Sequence, residues 1–204
     1  LRKGEIHALM GENGAGKSTL IKVLTGVHEF ESGEIRMSGN DSAIVNKSPQ
    51  DAQDKGISTV YQEVNLCPNL TVAENLFIGR EPRKAGFIDW KTMNKKSTEL
   101  LESLDIDAGA TDKLEECSLA KQQMIAIARA VDMQCQVLIL DEPIAQLDPA
   151  HADKIYEVLK ELNEEYRKTV IVIEHHTEYI AKFCKNVMLL KDGTVKWKLP
   201  AKEA

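Results

Sequence analysis

The chain has 204 residues, of which 43% are hydrophobic and 28% charged, the usage of a single globular domain with a sizeable core. Its net charge of −6, with basic residues only in short clusters such as Lys95-Lys96, argues against nucleic acid as the main partner. Apolar runs are far too short for a membrane span, and no charged start followed by an apolar stretch marks a secretory signal. Cys67, Cys117, Cys135 and Cys184 are too scattered for a zinc site, so they read as reduced thiols of a cytosolic protein.

In chain order, residues 5–10 read as a strand that runs into the glycine-rich segment 11–19, and a helix follows over 18–25 with Gly26 as its stop. Residues 33–39 alternate between glycines and predict an antiparallel strand. A short helix is expected over 51–55, and a β-branched, aromatic strand over 57–61 that ends at Gln62. The pattern then turns helical, over 71–78, 90–104 and 118–132, with 79–89 as a loop rich in Gly, Pro and Arg. The continuous apolar runs Val137-Leu138-Ile139-Leu140 and Val170-Ile171-Val172-Ile173 predict strands of a parallel sheet buried on both faces. Helices are expected over 150–166 and 178–184, and a terminal hairpin turns at Asp192-Gly193. This order predicts one α/β domain: a core from 1–62 and 133–204, with a helical sub-domain, 63–132, inserted into it.

Gly11, Glu12, Asn13, Gly14, Ala15, Gly16, Lys17 and Ser18, with Thr19 next, fit the pattern G-x-x-x-x-G-K-[ST]. A strand-to-helix turn of this composition can wrap a polyphosphate in backbone N–H groups, and the helix behind it turns its positive end toward the anion. Lys17 is placed to reach the β- and γ-phosphates, and the Ser18 hydroxyl is a hard oxygen suited to Mg²⁺. A chance glycine-rich turn is the competing reading, and a preceding strand with a following helix argues against it. Asp141 and Glu142 directly follow an apolar strand, so they emerge at the sheet edge where ligands bind. Asp141 can hold Mg²⁺ through water, and Glu142 can orient or deprotonate an attacking water. His175 stands at the end of the next strand and could donate to the γ-phosphate, but His176 competes for that role. His7, His28 and His151 read as structural or exposed.

Together these residues resemble the ATP-binding cassette (ABC) family, over nearly the whole chain. Residues 11–19 are similar to its Walker A loop, and Tyr61-Gln62-Glu63 to its Q-loop. Cys117-Ser118-Leu119-Ala120-Lys121-Gln122-Gln123 stands where the signature LSGGQ-x-Q is expected. Residues 137–142 are similar to Walker B with its glutamate, 143–148 to the D-loop region, and His175 to the switch histidine. The resemblance implies a P-loop NTPase fold of RecA-like type, mostly parallel with a small antiparallel part and a helical sub-domain. It implies ATP and Mg²⁺ as ligands, with Gln62 as sensor of the γ-phosphate and Mg²⁺. It also implies a head-to-tail dimer with a second cassette, in which Ser118 contacts ATP held by the partner in trans, and membrane permease subunits as further partners. Residues 4–10, 69–77, 79–82 and 88–90 are further similar to the first cassette of bacterial sugar importers of the ribose, xylose and galactose type. That narrower resemblance implies a cytoplasmic motor, peripheral on the inner face of the plasma membrane, that drives carbohydrate import.

Four departures from the family pattern stand out. The chain is expected to start late, with the family's first strand and the aromatic that stacks on adenine lying upstream. Ala120 replaces a signature glycine that lies close to phosphate, Ile144 and Ala145 stand where Thr and Ser are usual, and the second cassette is missing. Lys17, Ser18, Gln62, Asp141, Glu142 and His175 are all present, so hydrolysis is expected, weakly in isolation. Two other readings stay open at this level: a soluble ABC ATPase acting on DNA or the ribosome, and a cassette that binds ATP without hydrolysing it.

Overall fold

The computed structural model describes residues 2–37, 42–62, 65–201 and 203. In chain order the elements are β1 (Ile6–Met10), α1 (Lys17–Leu24), α2 (Pro49–Asp54), β2 (Ile57–Val60), α3 (Val72–Phe77), β3 (Arg83–Lys84), β4 (Phe87–Ile88) and α4 (Trp90–Ser103). They continue with α5 (Leu119–Asp132), β5 (Val137–Asp141), α6 (Pro149–Glu164), β6 (Thr169–Ile173), α7 (Thr177–Phe183), β7 (Asn186–Lys191) and β8 (Thr194–Pro200). Six strands form one sheet in the order β2-β5-β6-β1-β7-β8. All pairs are parallel except β7 with β8, the terminal hairpin. β1 is an interior strand, with Ala8 opposite Val172 of β6 on one side and Val187 of β7 on the other.

Side chains on a strand alternate between faces, so a sheet covered on both sides needs apolar residues at every position. Leu138, Leu140, Val170, Val172 and Ala8 enter one core, with Ile125 and Ile127 of α5 and Ile155, Tyr156 and Leu159 of α6. That core runs on without a break to Leu76 of α3 and Met93 and Leu101 of α4. Leu9, Ile139, Ile171 and Ile173 enter the opposite core, with Ile21 of α1 and Ala52 of α2. The two apolar runs therefore supply both layers at once.

Helix starts follow side-chain chemistry. Ser48, Thr71, Asp89, Ser118 and Asp148 each accept a backbone N–H from the first turn of α2, α3, α4, α5 and α6. At α3 the arrangement is reciprocal: Thr71 Oγ1 accepts from Glu74 N at 3.2 Å, and Glu74 Oε2 accepts from Thr71 N at 2.7 Å. Helices α1 and α7 have no side-chain cap, and both begin at the same edge of the sheet.

Two expectations are corrected. The strand foreseen over 33–39 is, among the described residues, a single bridge between Ile35 and Ile44, and residues 38 and 39 lie outside the described set. Residues 31–34 and 36 are exposed, so no buried face fixes an extended pairing there. The loop foreseen over 79–89 holds the hairpin β3–β4, whose turn residues Ala85 and Gly86 both have positive φ, 51° and 87°. Helix bounds otherwise differ from the expected ones by a residue or two.

Leu138 is fully buried on β5, between β2 and β6. Leu138→Ala should lower the unfolding free energy by about 2–5 kcal/mol, read from the urea midpoint. A loss under about 0.5 kcal/mol, the scale of a surface change, would place Leu138 outside the load of the core.

Candidate functional site

β1, β5 and β6 lie side by side and parallel, so the segments leaving their carboxyl ends meet at one edge. From β1 comes the glycine-rich loop 11–16. Gly16 takes φ 103° and caps α1 through its backbone alone. A Cβ on Gly11 would overlap the carbonyl oxygen of Leu190 on β7, so only glycine fits where the loop crosses that strand. The loop is closed by Ala15 N donating to Glu12 O at 3.1 Å and by Gly193 N donating to Ala15 O at 3.0 Å. Lys17 is 7% exposed, and its Nζ donates to the carbonyls of Gly11 and of Glu12 (3.2 Å). Ser18 and Thr19 are exposed at the start of α1, as are Glu12, Asn13 and Gly14 in the loop. The uncapped N–H groups of α1 and the Lys17 ammonium give this edge the donor set an anion requires.

From β5 come Asp141 and Glu142. Asp141 is half-buried, and its carboxyl is pushed above the usual range by burial and by the adjacent Glu142 charge. The charges of Lys17 and His175 pull the other way. All four groups therefore act within one electrostatic neighbourhood. Glu142 holds φ at 48°, a left-handed conformation that costs a non-glycine residue of order 1–3 kcal/mol. Its N–H still donates to Ile173 O at 3.0 Å, which ties the strained residue to β6. From β6 comes His175, whose Nε2 lies 3.2 Å from Glu142 Oε1.

The two histidines meet different carboxylates. His175 faces Glu142, whereas His176 Nδ1 lies 2.7 Å from Glu174 Oε1, on the other side of the turn. His7 is buried toward the far end of β1, 3.5 Å from Glu5, while His28 and His151 are exposed. Gln62 follows β2 and lines a cavity together with Glu142, Pro143, Leu119 and Gln123. Glu63, the other half of the Q-loop reading, lies outside the described residues.

Ser118 is exposed and caps α5, accepting from Lys121 N at 3.4 Å. Ala120 is buried, at 7% exposure, and the exposed residues at the start of α5 are Ser118 and Leu119. Ile144 is buried at 3% and belongs to the main core, which explains an apolar residue in the D-loop region. Two contributions were missed from sequence. The hairpin β7–β8 braces the phosphate-type loop through Leu190 and Gly193, and Asp192-Gly193 signalled only a turn. Glu174 is 2% exposed and bonds to the turn that carries both histidines, where an acid closing an apolar run was the only signal.

A parallel sheet with this loop, a buried lysine behind it and paired carboxylates two strands away at the same edge defines a P-loop nucleoside-triphosphate-binding fold. Comparison with known proteins narrows it. Residues 1–145 match the ABC transporter family. The galactofuranose transporter ATP-binding protein YtfR of Escherichia coli K12 is 44% identical over 95% of the chain, and the ribose import ATP-binding protein RbsA 1 of Streptomyces avermitilis is 41% identical over 98%. The chain spans 38% of the length of each. Among solved structures, the ADP- and phosphate-bound dimer of the cassette MJ0796 aligns with TM-score 0.80 at 29% identity, covering 98% of this chain and 87% of that one. CbiO1 of Clostridium perfringens aligns with TM-score 0.83 at 28% identity, covering 100% and 80%. The chain belongs to the ABC transporter family and carries its nucleotide-binding cassette.

Lys17→Ala should weaken ATP binding at least tenfold, since a charge-assisted hydrogen bond contributes roughly 1.5–3 kcal/mol. Titration with a fluorescent ATP analogue checks this, and unchanged affinity would remove Lys17 from the site.

Proposed function

We propose that this cassette hydrolyses ATP to drive carbohydrate import, as the cytoplasmic motor of a membrane transporter. The observation that carries the catalytic part is the 3.2 Å contact between His175 Nε2 and Glu142 Oε1, beside Asp141 and the buried Lys17. In this reading Gly11, Glu12, Asn13, Gly14, Ala15 and Gly16 wrap the β- and γ-phosphates, and Lys17 turns from the loop carbonyls to phosphate oxygens. His175 donates from Nε2 to a γ-phosphate oxygen. Glu142 accepts a hydrogen bond from the attacking water and takes its proton as the new P–O bond forms and the bond to the β-phosphate oxygen breaks. Gln62, across the cavity from Glu142, orients that water and senses the γ-phosphate.

The donor set suits Mg²⁺. Asp141 is held next to a second carboxylate, with its own carboxyl pushed up, and a divalent cation would relieve that repulsion. Among the described residues no three His, Cys, Asp or Glu side chains converge as a cage, which fits an ion that takes most of its ligands from phosphates and water. Ser18 Oγ and Asp141 would hold it, with Gln62 near, and it would neutralise charge on the transferred phosphoryl group.

Ser118, exposed at the start of α5, would meet the γ-phosphate of ATP on a second cassette, and loss of that phosphate would separate the pair. Support for pairing comes from the dimeric form of MJ0796, and support for a carbohydrate comes from the names of the relatives. Residues 63–132 act in this reading as the helical sub-domain that receives a membrane subunit near Gln62 and α3, although Glu63 and Val64 of that surface lie outside the described residues. No helix among the described residues is long and apolar enough to cross a membrane.

Glu142→Gln should cut steady-state phosphate release from Mg-ATP by about a hundredfold or more, the scale of a lost general base, while ATP binding persists. An unchanged rate in the malachite-green assay would overturn the assignment of Glu142.

A further inference from the structure

Glu174 is a carboxylate at the end of β6, almost wholly buried, to which the reaction above gives no part. Its oxygens are fully used. Oε1 accepts from His175 N at 2.8 Å and His176 N at 3.1 Å, and lies 2.7 Å from His176 Nδ1. Oε2 accepts from the Tyr156 hydroxyl at 3.2 Å. Burial, with the Glu174 charge beside it, pushes the Tyr156 phenol far above its usual range, so it remains a donor. Tyr156 itself packs against Tyr179 and Phe183 of α7, with ring centroids 5.1 and 5.0 Å away.

The segment served by this carboxylate needs an anchor. Residues 174–176 lie between β6 and α7, where the His176 carbonyl accepts from Tyr179 N and Ile180 N but the N–H groups of His175 and His176 precede the helix. His176 occupies the N-cap position of α7 and gives no side-chain cap. A buried acceptor for two successive N–H groups therefore does here what a cap does at α2 to α6. The His175 ring is 44% exposed, so packing alone does not hold it at 3.2 Å from Glu142.

We propose that Glu174 is a positioning residue for hydrolysis: by clamping the amides of His175 and His176, with Tyr156 as its brace, it fixes the direction in which His175 Nε2 points. The proposal rests on the reading that His175 serves the γ-phosphate. It predicts that Glu174 acts through His175 and not through general stability.

The test is a double-mutant cycle on the purified protein with Mg-ATP, reading kcat, KM and thermal unfolding. Glu174→Ala should lower kcat by about ten- to a hundredfold, the cost of misplacing a reacting group by an ångström, with KM for ATP changed less than about threefold. In a His175→Ala background the same substitution should have no further effect on kcat. Glu174→Gln keeps an acceptor toward the two amides and turns its NH₂ toward the Tyr156 oxygen, so it should recover most of the rate lost in Glu174→Ala. If Glu174→Ala fails to fold, Tyr156→Phe carries the cycle instead: it loosens Oε2, and its smaller loss of kcat should vanish without His175. Equal proportional losses with and without His175 would overturn the proposal and leave Glu174 a structural residue. Full activity of His175→Ala alone would remove the role of His175 itself, and the proposal with it.

Discussion

Parallel pairing in register is the constraint on which the site depends. β5, β6 and β1 are neighbours, with Leu140 opposite Val172 and Ala8 opposite Val172 on the other side. Their carboxyl ends are thereby level, and the glycine-rich loop, the two carboxylates and the two histidines leave the sheet at one edge. The chemistry of the edge needs no long-range recruitment of side chains, because Asp141 closes β5, Glu142, His175 and His176 follow within three residues of a strand end, and the glycine-rich loop starts directly after β1. The same pairing demands strands buried on both faces, which is why Val137–Asp141 and Thr169–Ile173 are apolar almost without interruption until the site begins.

What the sheet delivers, local devices then aim. Glu142 is held in a left-handed conformation and tied by its N–H to Ile173, so its side chain leaves the strand in a direction a regular extension would not give. Glu174 turns inward at the equivalent point of β6, and His175 is free to face outward. Neighbouring strands thus end with acids of opposite fate: one at the ligand edge, the other in the protein interior. Burial of an acid is tolerable only when its oxygens are satisfied, and the Glu174 contacts meet that demand.

Much of this was legible in the residues. The apolar runs announced the buried strands, and the loop with its lysine and serine announced a phosphate site, because those signals are local and carry a specific mechanism. The order of motifs then pointed to the family. Less legible were features set by tertiary neighbours. Alternation between Gly33 and Gly39 looked like a strand, but pairing needs a partner with a buried face, and the described part offers one bridge. The Ala85-Gly86 hairpin was hidden in a polar stretch because Ala seldom takes positive φ. The burial of Ala120 is set by the packing of α5 and was not readable from its place in the signature. The different surroundings of His175 and His176 were invisible, since they turn on which carboxylate each ring meets.

The bracing of the loop by the terminal hairpin also bears on the order of assembly. Gly193 N reaches back to Ala15 O, and β1 slots between β6 and β7, so the earliest strand waits for partners from the last quarter of the chain. Contacts of such sequence separation form late and slowly. During synthesis the glycine-rich turn emerges well before the strands that flank β1, which leaves a nascent chain without a finished phosphate cradle until the ribosome has passed the hairpin.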